Sequence, residues 1–216
     1  MKAIILANGQ PPQKSVIRFL IKSGYKVFIC ADGGANSAYK LGLIPDFIIG
    51  DFDSINEETL SFFEGKSKII QIKRQNDTDV EKCLKFAIKK KIKEVVLLGG
   101  TGDRLDHSFC NLGIVLKFSD RIEIKAIHQK SVLSVCSGTV SLDTIPKEII
   151  SVYGFDEKTK ILSSGLKYSL RNVALPFGKK ESTSNVALSK KVELEIKNGK
   201  VFVIREFNLL RKYGLV

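Results

Sequence analysis

The chain of 216 residues has no tryptophan, one methionine, five prolines and two histidines. Its four cysteines (Cys30, Cys83, Cys110 and Cys136) are scattered, with no CxxC pair. So few histidines and such spacing exclude a conventional zinc site and a disulfide framework. Buried, reduced thiols in a cytoplasmic protein are the expectation. No apolar run approaches the ~20 residues of a membrane span. The short run in MKAIILANGQ is too brief for a signal peptide and reads as a first strand. Acidic residues are also scarce: 23 Asp and Glu face 35 Lys and Arg, a net charge of +12. That surplus suits either nucleic acid or the steering of a small anion. Lysines such as Lys89, Lys90, Lys91 and Lys93 fall on presumed helix faces without the interleaved aromatics that base stacking needs. Neither nucleic acid nor a membrane is therefore an expected partner.

What is present is an ordinary globular composition, 44% hydrophobic and 27% charged, on a chain long enough for one large domain or two small ones. Up to residue 127 two periods alternate. Short β-type runs (KAIILA, KVFICA, FIIG, KIIQI, EVVLLGG and IEIKAI) are separated by stretches with helical spacing. Val80, Leu84, Ala87 and Ile88 share one helical face, and Leu105, Phe109, Leu112 and Leu116 share another. The pattern predicts a mainly parallel, Rossmann-like α/β domain over residues 1–127. From about residue 128 helical periodicity gives way to short strands punctuated by Gly, Ser and Asn, which predicts a β-sandwich or barrel over 128–216. In VELEIKNGKVFVI, Asn198-Gly199 between two alternating runs reads as a type I′ hairpin.

Aspartates recur just after the apolar runs: Asp32, Asp51 and Asp53, Asp77 and Asp79, Asp103 and Asp106. In a parallel sheet these positions share the carboxyl edge, where open α/β folds bind ligands. Carboxylates gathered on one rim call for a cation, and Mg²⁺ is the hard ion that takes oxygen ligands while carrying substrate phosphates. In ADGGAN, Asp32 precedes Gly33-Gly34; a plain strand-to-helix turn accounts for it as well as close ligand approach does. In GDFDS, an extended backbone would aim Asp51 and Asp53 the same way, with Phe52 turned toward the core. A metal is favoured there over an exposed capping loop, because paired carboxylates repel without one. Thr78-x-x-Glu81 reads as a capping box, and Asp79 either complements that helix dipole or joins the metal. Gly99, Gly100 and Gly102 lie before a helix start, a natural phosphate site. Arg104, His107 and Asn111 form one polar stripe beyond them, with no P-loop lysine signature. His107 is as readily structural as functional.

Taken in order, ADGGAN, GDFDS, NDTD and GGTGDRLDH, followed by GLKYSL and STSN, resemble the thiamine pyrophosphokinase family over most of the chain. The resemblance implies a homodimer in which an α/β catalytic domain binds ATP and Mg²⁺ and a β-rich domain helps bind thiamine at the subunit interface. It implies transfer of pyrophosphate from ATP to the thiamine hydroxyl, with release of AMP. By that likeness Asp51, Asp53 and Asp79 belong at Mg²⁺, and Arg104 joins them as a catalytic residue. Asp32, Gly33, Gly34, Asn36, Gln75 and Thr78 lie near the substrates, as do Gly99, Gly100, Asp106 and His107, while Ser184 and Asn185 face thiamine. Some members stack thiamine on an aromatic shortly after the STSN-like segment. Here Val186, Ala187 and Leu188 follow, leaving Tyr168, Phe177 or Phe202 as substitutes. The same rim would also serve a Mg²⁺-dependent nucleotide phosphohydrolase, and the basic charge a nucleic-acid binder with a degenerate site.

Overall fold

The computed structural model describes residues 1–74, 76–102 and 104–215. The chain divides into two compact units, Met1–Gln129 and Lys130–Val216.

All six apolar runs of the first unit form strands: β1 (Lys2–Leu6), β2 (Tyr25–Ala31), β3 (Phe47–Gly50), β4 (Lys68–Gln71), β5 (Glu94–Leu98) and β6 (Glu123–His128). They pair in parallel in the order β4-β3-β2-β1-β5-β6. Ile4, Ile5, Ile29, Ile48, Val95 and Val96 are fully buried, as expected of strands covered on both faces. The connecting helices are α1 (Lys14–Lys22), α2 (Gly34–Lys40), α3 (Glu57–Phe63), α4 (Asp79–Lys89) and α5 (Leu105–Phe118). Helix α2 packs with α3, and α4 with α5, as right-handed crossovers running in opposite directions from β1 require. The chain reverses its direction of travel across the sheet between β1 and β5, the kind of switch point at which such sheets bind ligands.

Helix α4 buries Val80, Leu84 and Ala87 as its periodicity predicts. Helix α5 does not follow the Leu105 stripe. It buries Ile114, Val115 and Phe118 instead, and leaves Leu105 and Phe109 exposed. None of the four cysteines is in a disulfide; three are buried and Cys110 is exposed. Among the described residues no helix is long and apolar enough to cross a membrane.

At the amino edge of the same sheet, Glu94 ties three other strands together. It accepts hydrogen bonds from Tyr25 Oη of β2, from Lys2 Nζ of β1 at 2.6 Å and from Lys125 Nζ of β6 at 2.9 Å. Burial opposes its charge, but these donors hold its pKa down at about 2.

The second unit is an antiparallel β-sandwich. Its strands are β7 (Ser131–Asp143), β8 (Ile149–Tyr153), β9 (Lys160–Ser164), β10 (Ser182–Val186) and β11 (Lys191–Glu206). A short helix α6 (Phe207–Lys212) follows, which the loss of helical periodicity did not anticipate. The expected Asn198-Gly199 hairpin is absent: β11 runs through it, and both of its halves pair with β7. A type I′ turn needs positive φ at both central residues, yet only Asn198 has it, at 61°. The segment is a bulge instead, between Ile196 and Val201. Beyond it one half of β11 pairs with β9 and the other with β8, which in turn pairs with β10. Bulged long strands of this kind pass from one sheet to another. Ile150, Val152, Ile161, Leu194 and Val203 from the different halves share one core. Gly199 is required here, since a Cβ would fall 1.9 Å from Thr159 Oγ1.

Candidate active site

The carboxyl ends of β2 and β3 and the start of α4 bring Asp32, Asp51 and Asp79 together, with one oxygen from each inside a 4.8 Å group. Asp32 is the buried member, 1% exposed, with φ at +42°. Its Oδ2 accepts the Ser54 N–H at 3.1 Å, while no donor among the described residues reaches Oδ1. Burial and the neighbouring Asp53 and Asp79 raise its pKa to about 6, against the pull of the Ser54 amide.

Sequence reasoning missed the cation in this group. Lys82 lies one turn beyond Asp79 and its side chain is 2% exposed. Its Nζ donates to Asp79 Oδ1 at 2.8 Å and to Asp51 Oδ2 at 3.1 Å. Burial opposes its charge, but the two carboxylates outweigh it and lift its pKa. Burial likewise works against Asp51, where Lys82 prevails and the pKa falls below the usual range. Its i+3 spacing from Asp79 was the available signal.

Asp53 is exposed and accepts from its neighbour Ser54 Oγ at 2.8 Å. The extended geometry expected for GDFDS is not adopted: β3 ends at Gly50 and Phe52 turns to φ +72°. Asp32 is the third member of the 4.8 Å group with Asp51 and Asp79, and Asp53 lies beside it, near enough to raise the Asp32 pKa. Asn36 fastens this loop from α2. Its Nδ2 donates to Ser54 O at 2.9 Å and its Oδ1 accepts from Asn56 N at 3.0 Å. Gly33 and Gly34, both buried, carry the chain from Asp32 into α2.

Thr78 caps α4, accepting from Glu81 N at 3.2 Å. The return half of a capping box is not made, because Glu81 pairs with Lys117 of α5 at 2.5 Å. Asp77 pairs with Lys85 at 2.5 Å. Gln75 and Asp103 lie outside the described residues.

At the switch point, the segment after β1 is laced to the glycine-rich loop after β5. Gly9 N donates to Gly99 O at 2.8 Å, and Gln10 N donates to Thr101 O at 2.9 Å. Asn111 Nδ2 holds Gly100 O at 2.7 Å, and Ser108 Oγ accepts from Gly102 N at 3.2 Å. The loop thus sits shaped at the N-terminus of α5, where dipole and backbone favour anions. Arg104 and Asp106 stand exposed beside it as a two-point pair, at 2.5 and 3.2 Å. Arg104 holds the Asp106 pKa near 2. His107 is exposed, its Nε2 4.0 Å from Asp106. A second histidine joins this edge: His128 Nδ1, at the end of β6, is 2.6 Å from Thr101 Oγ1.

In the second unit Ser184, with φ at +54°, is exposed. Asn185 is 1% exposed, and both ends of its amide are engaged within the unit. Its Oδ1 accepts from Tyr168 N at 3.0 Å, and its Nδ2 donates to Tyr168 O at 2.7 Å. It therefore grips the backbone that presents Tyr168, whose ring is 61% exposed. Of the other aromatics expected to substitute, Phe177 is exposed and Phe202 is buried edge-on against Phe155.

Comparison with known proteins bears on both units. A family model described as the catalytic domain of thiamin pyrophosphokinase matches residues 20–127. A second, the vitamin B1 binding domain of thiamin pyrophosphokinase, matches residues 139–201. Thiamin pyrophosphokinase 1 of Caenorhabditis elegans is 29% identical, covering 96% of this chain and 90% of its own. Thiamine pyrophosphokinase of Bacillus subtilis is 27% identical, covering 95% and 99%. A crystal structure of a thiamine pyrophosphokinase from Bacillus subtilis superposes with a TM-score of 0.82 at 24% identity, over 97% of this chain and 100% of that one. The Candida albicans enzyme gives 0.82 at 19% identity, over 95% and 88%; these superpositions speak for the fold. With a catalytic model on the unit that carries the carboxylate cluster and a vitamin-binding model on the other, the chain is an enzyme belonging to the thiamine pyrophosphokinase family.

Proposed function

We propose that this enzyme transfers a pyrophosphoryl group from ATP to the primary hydroxyl of thiamine, giving thiamine diphosphate and AMP, with Mg²⁺ as cofactor. The observation that carries the reading is the Asp32, Asp51 and Asp79 group in the unit that matches the catalytic domain. Its chemistry fits the ion: the donors are hard oxygens, and the buried Asp32 Oδ1 is reached by no donor among the described residues. Asp32, Asp51 and Asp79 would hold Mg²⁺, with Asp53 exposed beside them for the nucleotide-borne ion. Bound there, Mg²⁺ would neutralise phosphate charge as it develops.

The remaining work falls to the chain's own groups. The loop at Gly99 and Gly100, with the N-terminus of α5, suits the phosphates, and Arg104, steadied by Asp106, suits their oxygens. Thr78 and His107 stand on the same carboxyl edge, and we assign them, together with Gln75, to orienting the substrates. The thiamine hydroxyl attacks the β-phosphorus in line, AMP departs, and the hydroxyl proton passes to a cluster carboxylate. Most of the rate gain is alignment. Thiamine is cationic, so carboxylates and an exposed aromatic suit it. Ser184, and Tyr168 held by Asn185, are assigned to that acceptor. We place the acceptor site at the interface of a homodimer, and the enzyme, with its cysteines unbridged, in the cytoplasm.

A co-product assay tests the reading. With ATP, Mg²⁺ and thiamine the expected products are AMP and thiamine diphosphate in equal amounts. ADP release, or nucleotide breakdown at the same rate without thiamine, would overturn it in favour of a phosphohydrolase.

A further inference from the structure

A buried ammonium is tolerated only when paired, and Lys82 is paired twice, with carboxylates brought by different elements. Asp51 comes from the end of β3 and Asp79 from the first residue of α4, and the Lys82 Nζ spans them. Within the protein alone, Lys82 answers the repulsion between Asp51 and Asp79. It makes no bond to Asp32 Oδ1, which no donor among the described residues reaches. The cluster is therefore assembled before any ion arrives, with one oxygen of Asp32 still waiting for a positive partner.

The same charge has a cost for the ion. A divalent cation entering a 4.8 Å group must share it with a fixed positive charge a few ångströms away, and like charges at that range in a partly buried site repel strongly. An ion that comes with polyphosphate brings compensating negative charge.

We propose that Lys82 is a positioning residue that holds Asp51 and Asp79 in readiness while keeping the affinity for a free divalent ion low, so that the ion enters as its complex with the nucleotide phosphates. This rests on the reading that Asp32, Asp51 and Asp79 hold Mg²⁺. A purely structural lysine would act the other way, since its loss would loosen the cluster and weaken metal binding.

The experiment is a Mn²⁺ titration of the full chain followed by electron paramagnetic resonance, with no nucleotide present. Lys82→Met should bind Mn²⁺ at least tenfold more tightly than the unaltered chain, ~1.4 kcal/mol. Lys82→Arg, which keeps the charge, should stay near the original affinity. In thermal unfolding, Lys82→Met should melt lower than the unaltered protein without metal and regain more on adding Mn²⁺. Lys82→Gln serves as a second neutral variant. Should neither neutral variant fold, the unaltered chain still decides the matter: its Mn²⁺ affinity should rise at least tenfold with a non-hydrolysable ATP analogue. Unchanged or weaker Mn²⁺ binding in the neutral variants, or no gain from the analogue, overturns the role of Lys82 and leaves the metal site standing. Absence of Mn²⁺ binding from every protein, with the analogue as without it, overturns the site and the role together.

Discussion

Gly50 and Asp32 meet in a contact that only glycine permits: a Cβ on Gly50 would lie 2.6 Å from the Asp32 Cβ. Real Cβ atoms do not approach so closely, and Asp32 is wedged at 1% exposure with no room to retreat. Gly50→Ala should push the Asp32 carboxylate out of the cluster. Turnover should fall at least ~100-fold, with a stability loss of roughly 1–3 kcal/mol from overpacking. Steady-state kinetics beside a denaturant melt would check both; near-normal kcat would show that the position of Asp32 is not critical.

Asp51 and Asp53 should separate on mutation. Asp51 lies in the cluster, bonded to Lys82, whereas Asp53 is exposed. Asp51→Asn should reduce turnover at least ~100-fold and weaken Mn²⁺ binding. Asp53→Asn should act mainly on the nucleotide-borne ion, raising the Mg²⁺ requirement with ATP present. Equal Mn²⁺ binding by Asp51→Asn and the unaltered protein would remove Asp51 from the ligand set.

The pKa of Asp32 sets a pH dependence for the metal-free protein. Folding raises it from 3.8 to about 6, so the folded state holds this proton more tightly than the unfolded chain. The resulting contribution to stability is complete below about pH 4 and lost as pH rises through about 6. Asp32→Asn should flatten that part of the stability curve and melt above the unaltered protein at pH 7 without metal. Urea melts between pH 4 and 8 with a chelator present would show it, and a parallel pair of curves would count against it.

Glu94 should act with the opposite sign. Its folded pKa of about 2 lies below the ordinary 4.5, so its stabilisation is present above about pH 4.5 and drains away as pH falls toward 2. Glu94→Gln should cost roughly 2–3 kcal/mol at pH 7, because Lys2 loses its partner and Lys125 keeps only the longer pair with Glu123 at 3.6 Å. It should also remove part of the acid limb of unfolding. Kinetic constants for a well-folded Glu94→Gln should change little, since the clasp lies at the edge of the sheet away from the carboxylates.

Tyr168 and Phe202 should divide function from packing. Tyr168→Ala should raise the KM for thiamine about tenfold, the loss of one cation–π contact, while leaving the KM for ATP near its starting value. Phe202→Ala, which opens a cavity beside Phe155, should lower stability by about 3 kcal/mol. A thiamine KM indifferent to Tyr168 would return the acceptor contact to Phe177.

Six apolar runs bounded by Asp, Gly and Asn specified the strands of the first unit, because local burial and turn chemistry are written in neighbouring residues. The placing of aspartates after those runs likewise brought them to one edge, since all six strands point the same way. What no local pattern carries is which carboxylates meet. Asp32 joins Asp51 and Asp79 only because Gly50 lets it lie against β3 and because Phe52 turns out of the extended conformation. Lys82 looked like one more lysine in a basic chain until α4 docked it beneath β3. Asn198-Gly199 carried the signature of a hairpin, yet its strand runs on, since both of its halves found a better partner in β7. Period, capping and strand direction were thus determined by the sequence itself. The membership of the aspartate cluster, and the cation at its centre, were decided by tertiary packing, where contacts between distant segments outweigh local preference.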